Sequence, residues 1–147
     1  MPKIYEMILN LKVFQYAVSL WLHMGYYNSC LSEEASNICT IILPRGKYKY
    51  KHLPMGVCKS PKNFQVKMNV MFHAYEFIWA CINYLLIITK GDWYDQFGKI
   101  ELTLKNLKNN GSKCNIKNLL FGKTKTEYLG LLVNPNGIQP VNKTYTP

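Results

Sequence analysis

Residues 77–97 read FIWACINYLLIITKGDWYDQF, and this stretch constrains the fold most. Two apolar runs, 77–81 and 85–89, each have the length of one strand, and only Ile82-Asn83-Tyr84 separates them. A break that tight joins antiparallel neighbours, because a parallel pair needs a long crossover. The runs carry no charge before Lys90, so the hairpin is buried on at least one face. A helix start follows at Gly91-Asp92. Any fold that holds this hairpin must cover it, and it sets an Asn and a Tyr side by side at the turn.

The covering elements can be read on either side. Residues 14–22 (FQYAVSLWL) are apolar with β-branched and aromatic members, and predict a buried strand ended by Gly25. Residues 39–43 and 48–53 flank Pro44-Arg45-Gly46 and predict a second hairpin. Its second strand alternates, with Tyr48 and Tyr50 on one face and Lys49 and Lys51 on the other. Ser60-Pro61 predicts a helix with Ser as N-cap and Pro at the first position, and Phe64, Met68 and Met71 or Phe72 as its apolar stripe. Asp92 predicts a second capped helix with an apolar face of Phe97, Ile100, Leu104 and Leu107, stopped at Asn110-Gly111. Residues 114–116 and 127–133 predict two more strands, and 134–137 (NPNG) a turn. The order argues for an α+β domain with an antiparallel sheet and helices packed on one face.

The chain has 147 residues, about one domain's worth, and 48% of them are hydrophobic. That is ample for one core and argues against disorder. The formal charge of +10 favours polyanionic partners such as nucleic acid or an anionic membrane, with a solvated basic surface as the plainer alternative. Five cysteines, an odd number with no C-x-x-C pair, support neither a zinc ribbon nor a disulfide framework and fit reduced thiols inside a cell. The N-terminus lacks the apolar core of a signal peptide, and the run 77–88 is too short and interrupted to span a membrane. The protein is therefore expected to be intracellular, cytoplasmic or nuclear, with no transmembrane segment. Gly122-Lys123-Thr124 looks like the end of a P-loop, but the required earlier glycine is Lys117, so that reading fails. His23, His52 and His73 have no ligand spacing.

Several words in this order resemble one family. LPMGVCKSPKNFQVKMN (53–69) is similar to the L-P-x-G-L-x-x-A-P-x-x-F-Q-x-x-M-N segment of reverse transcriptases of gypsy-type LTR retrotransposons, at Pro54, Gly56, Pro61, Phe64, Gln65, Met68 and Asn69. Upstream, SLWLHMGYYNSCLSEEASNICT resembles the first palm strand and its loop; downstream, ELTLKNLKNNGSKCNIKN and TEYLG resemble the family's later motifs. The likeness covers residues 14–139, nearly the whole chain. It implies a reverse-transcriptase-like palm with part of the fingers, preceded by an N-terminal remnant (1–13) and followed by a tail (140–147). The family's other domains are missing, so the chain reads as a fragment or relic of a longer polyprotein.

The resemblance also gives the turn a meaning. Its catalytic hairpin reads [YF]-x-D-D, and those positions here are Cys81-Ile82-Asn83-Tyr84. The third family aspartate falls on Trp21. Phosphoryl transfer by this family uses two Mg²⁺ ions, hard cations that want carboxylate oxygens. Asn83 offers one neutral oxygen, Tyr84 a phenol that stays protonated near neutral pH, and Trp21 only an N–H donor. The chain has just two aspartates, Asp92 and Asp95, whose place at a helix start suits capping. Glu33 and Glu34 read as a solvated pair in a loop.

The resulting expectation is a retrotransposon-derived domain of RNA-directed DNA polymerase descent that is catalytically inactive, with no cofactor. By resemblance, Tyr26, Met55, Gly56, Gln65 and Lys113 would line the nucleotide site, though packing explains Tyr26 equally well. Tyr128 and Gly130 match a hairpin that grips the primer strand. The rival is a non-enzymatic basic module binding RNA or single-stranded DNA weakly through Arg45, Lys47, Lys49, Lys51, Lys59 and Lys62, with Tyr48 and Tyr50 as stacking platforms. A relic with no selected function is the third alternative. No membrane partner is expected, and the sequence does not address oligomeric state.

Overall fold

The computed structural model describes residues 14–23, 25–115 and 124–141. The N-terminal remnant 1–13, the tail from 142 and the last residue of the strand expected at 114–116 lie outside the described residues.

The apolar hairpin forms as its pattern demands. β1 (Tyr16–His23), β4 (Ile78–Cys81), β5 (Tyr84–Thr89) and β6 (Lys113–Asn115) build an antiparallel sheet in the order β4-β5-β1-β6. β5 sits inside it, and Leu85 to Thr89 are buried on both faces, which is why this strand reads as a continuous apolar run. β1 pairs with β5 so that Ala17 faces Ile88, Ser19 faces Leu86 and Trp21 faces Tyr84.

Alternation then divides the sheet's side chains between two layers. Val18, Leu20, Leu22, Leu85 and Ile87 meet α2 (Ser60–Phe72) through Phe64, Met68 and Phe72, and α3 (Trp93–Asn109) through Ile100 and Leu107. Both helices lie on one face, as expected. The opposite face is covered in part by a three-stranded sheet, β7 (Thr126–Tyr128), β8 (Leu131–Asn134) and β9 (Gly137–Pro140), with Tyr128 and Val133 packed on Ala17, Leu86 and Ile88. Each fully enclosed Leu or Ile contributes about 1.5–3 kcal/mol of burial.

Several boundaries differ from the sequence reading. The expected strand 127–133 is two strands, folded at Leu129 (φ 53) and Gly130 (φ 76), the paired positive φ values of a type I′ turn. β2 (Thr40–Leu43) and β3 (Gly46–Lys49) make the second hairpin, but β3 starts and stops earlier than 48–53, so Tyr50 and Lys51 lie beyond its end. Glu33 and Glu34 open a short helix, α1 (Glu33–Ile38), rather than a loop, because Ser32 Oγ accepts from Ala35 N at 3.2 Å.

Ser60 is the first residue of α2, not its cap. Lys59 takes the cap position, and the Ser60 hydroxyl donates to the Pro54 carbonyl at 2.9 Å. α3 keeps its expected cap, Asp92 Oδ1 accepting from Asp95 N at 2.9 Å. Its end is a Schellman motif: Gly111 N donates to Lys108 O at 3.0 Å and Ser112 N to Leu107 O at 2.9 Å. Its buried stripe is Gln96, Ile100, Thr103 and Leu107, with Leu104 alongside, while Phe97 is exposed. The sequence reading missed Gln96 and Thr103 because it counted only apolar residues.

Candidate functional site

The sheet register carries Trp21 to the Asn83-Tyr84 turn. Tyr84 is the first residue of β5 and stands opposite both Cys81 and Trp21. The two rings stack, with centroids 5.5 Å apart and planes 15° from parallel. Tyr84 also meets Tyr128 edge-on at 6.5 Å. Leu22 N donates to the Asn83 carbonyl at 2.8 Å, so β1 is tied to the turn itself. The three positions therefore converge, although Tyr84 lies in the strand and not at the apex.

Asn83 points elsewhere than Tyr84. Its Oδ1 is buried without a hydrogen-bond partner and closes on Gly25, where an added Cβ would come within 2.8 Å of that oxygen and 2.5 Å of Phe64 Cζ. Gly25 is thus held by close approach, not by its backbone angle.

The turn is locked by a residue that sequence reading placed near a nucleotide. Gln65 is buried on α2. Its Oε1 accepts from Ile82 N at 2.7 Å, and its Nε2 donates to Ala80 O at 2.9 Å and Asn69 Oδ1 at 2.8 Å. Ile82 has φ 51, a conformation a β-branched residue adopts only under constraint. The Gln65 clamp supplies that constraint. The signal for it was the Q of the F-Q pair, but only the fold shows what the amide holds.

The other named residues are spread around this centre. Tyr26 lies in a 3₁₀ turn (Gly25–Asn28) and packs on Phe64 with centroids 5.2 Å apart; burial pushes its phenol up. Met55 and Gly56 are exposed in the loop before α2, and Gly56 has φ 91. Lys113 is exposed on β6, opposite His23. Tyr128 is enclosed; burial above all, with Cys81 beside it, raises its phenol well above the usual range, and its hydroxyl reaches the Trp79 carbonyl at 3.3 Å. Its ring faces the interior, whereas Gly130, like Glu127, is exposed.

Arg45, Lys47, Lys49, Lys51, Lys59 and Lys62 are all exposed, the first three on the β2–β3 hairpin and the last two at the start of α2. Lys49 donates to Asn37 Oδ1. Tyr48 is also exposed, and Tyr50 is half-buried. The first turn of α2 has no acid, and its cap has no side-chain hydrogen bond.

Among the described residues no group of three His, Cys, Asp or Glu could hold a metal ion, and no helix is long and apolar enough to cross a membrane. Asp95 pairs with Lys99 at 2.8 Å within α3. A cleft of about 620 Å³, lined by Glu76, Phe77, Trp79, Ile88, Lys90 and Lys99, lies at the open end of the β4–β5 hairpin, away from the turn.

No family model matches the chain. It is 26% identical over 141 residues to the retrovirus-related Pol polyprotein from transposon 297 of Drosophila melanogaster, covering 95% of this chain and 13% of that protein. It is 24% identical over 139 residues to the retrovirus-related Pol polyprotein from transposon gypsy of the same fly, covering 93% and 13%. Two solved structures of the foamy viral protease-reverse transcriptase share its fold. One, in complex with an RNA/DNA hybrid, matches at a TM-score of 0.80 and 16% identity over 90% of this chain and 18% of that one. The other, in complex with double-stranded DNA, matches at 0.84 and 16% over 94% and 24%. The two sequence relatives named here are retrotransposon Pol polyproteins, of whose length the chain spans about an eighth, and the fold is that of reverse transcriptases.

Proposed function

We propose, from the premise that this chain is a reverse-transcriptase-like region related to retrotransposon Pol polyproteins, that it is a degenerate palm and fingers unit that binds nucleic acid and does not polymerise it. The observation that carries this reading is the Trp21–Tyr84 stack. By resemblance, those positions and Asn83 would hold the carboxylates of a two-Mg²⁺ site. An indole offers no lone pair to a cation, a phenol supplies no carboxylate, and the one amide oxygen is turned toward Gly25. Two divalent ions side by side need anionic ligands to offset their repulsion. The residues present do not fit that group, so no catalytic step is assigned to them.

Binding rests on different residues. The exposed cations of the β2–β3 hairpin and the α2 start suit phosphates, which are neutralised by Lys and Arg with little regard to sequence. The structural relatives were solved with an RNA/DNA hybrid and with double-stranded DNA, which supports a nucleic-acid partner for this one. An intracellular setting agrees with five free cysteines. Primer extension on an RNA template, with Mg²⁺ or Mn²⁺, tests the reading. The expected result is no incorporation and no melting shift specific to metal plus nucleotide. Metal-dependent incorporation by the unaltered chain, absent from a heat-denatured control, overturns it.

A further inference from the structure

The uncovered end of the sheet carries a second arrangement. Trp21 and His23 of β1 point away from the helices, since Leu22 between them joins the helix-facing core. Tyr84 of β5 lies directly across from Trp21 on one side, and Asn115 of β6 on the other. Lys113 lies directly across from His23. The β7–β9 layer reaches Ser19, where Thr126 Oγ1 donates to Ser19 Oγ at 3.1 Å, and Tyr84, which Tyr128 meets edge-on, while Trp21 itself is 45% exposed. Tyr84 backs one face of the indole and fixes its plane. Both His23 and Lys113 are exposed, and these strand positions hold no carboxylate.

We propose that Trp21, backed by Tyr84 and flanked by Lys113 and His23, is a stacking site for one unpaired base of single-stranded nucleic acid, with Lys113 holding a neighbouring phosphate. The inference deepens the nucleic-acid reading above and rests on it. A pre-ordered, solvent-facing indole is the platform that unpaired bases use, and it tolerates any base because each has a π face. The Lys113 cation stands on the neighbouring strand, diagonal to Trp21 and about 7–8 Å away, which suits a phosphate next to a stacked base. The cations and the net charge of +10 favour a polyanion over an apolar protein surface. A duplex is disfavoured because its bases are already stacked.

The test uses the full chain, with oligothymidylate, a duplex of equal length and heparin as probes. Oligothymidylate is expected to quench a tryptophan component that is missing from Trp21→Leu, whereas heparin binds without quenching it. Trp21→Leu should weaken oligothymidylate binding about tenfold, as for loss of one stacked base, and leave heparin unchanged. Lys113→Ala should weaken both. If Trp21→Leu does not fold, quenching in the unaltered chain and ring rescue by Trp21→Tyr still decide. Binding of oligothymidylate without Trp21 quenching, or an equal loss for oligothymidylate and heparin, overturns the platform and leaves the basic-surface reading standing. Failure to bind either polyanion at low salt sinks both.

Discussion

At the scale of single residues, the turn of the β4–β5 hairpin shows how one side chain can hold a strained backbone. Gln65 satisfies a donor and an acceptor of the turn with one amide. Replacing it by Leu keeps the apolar contacts of the stem but leaves Ile82 N and Ala80 O without that partner. Gln65→Leu should therefore lower stability by about 1–3 kcal/mol, the range for orphaning polar groups in a folded interior. Urea unfolding measures this directly. Asn69→Ala is the control, because Asn69 is exposed and its Oδ1 accepts from Gln65 Nε2, so its loss leaves both bonds of Gln65 to the turn in place. An equal loss in both variants would show that the clamp on the turn is not what matters. Gln65 was legible as a motif position. Its partners were not, since Ile82 and Ala80 lie fifteen residues or more away in sequence.

At the scale of elements, α3 is the clearest case. Cap, first-turn acid and terminal glycine were readable because they act within a few residues of one another. The buried stripe was not readable, because two of its four members are polar. Thr103 is excused by its bond to Lys99 O at 2.7 Å, the usual i−4 resort of a helical hydroxyl. Gln96 is fully enclosed, and neither of its amide atoms has a hydrogen-bond partner. Gln96→Leu should raise stability by about 1–2 kcal/mol, because it removes an unsatisfied amide and adds apolar contact. A calorimetric Tm that falls instead would mean that the amide has a partner in the folded protein.

At the scale of the molecule, the helices cover one face of the main sheet and the β7–β9 sheet covers only part of the other. That incomplete cover leaves Trp21 open, with the basic hairpin and the α2 start exposed elsewhere. Binding to single-stranded DNA should follow the charge of the whole surface. Affinity should fall as salt rises, with a log–log slope of about −2 to −4 if a few phosphates are neutralised. Filter binding over a salt series measures it. A flat response would remove phosphate contact as the basis of binding.

What the sequence determined by itself was the set of local commitments. The β4–β5 hairpin followed from two apolar runs and a short break, α3 from its cap and glycine stop, and the absence of acids at Trp21, Asn83 and Tyr84 from the residues alone. Residues 14–22 read as a buried strand, but that Val18, Leu20 and Leu22 are the ones facing the helices came from the fold. Tertiary structure decided whatever depends on which distant residues become neighbours. It split 127–133 into a hairpin that covers part of the second face, because the positive φ values of Leu129 and Gly130 reverse the chain there. It moved Ser60 from cap to anchor by bringing Pro54 O within reach. It stacked Trp21 on Tyr84, because pairing register is a property of two strands and neither strand's own residues specify it.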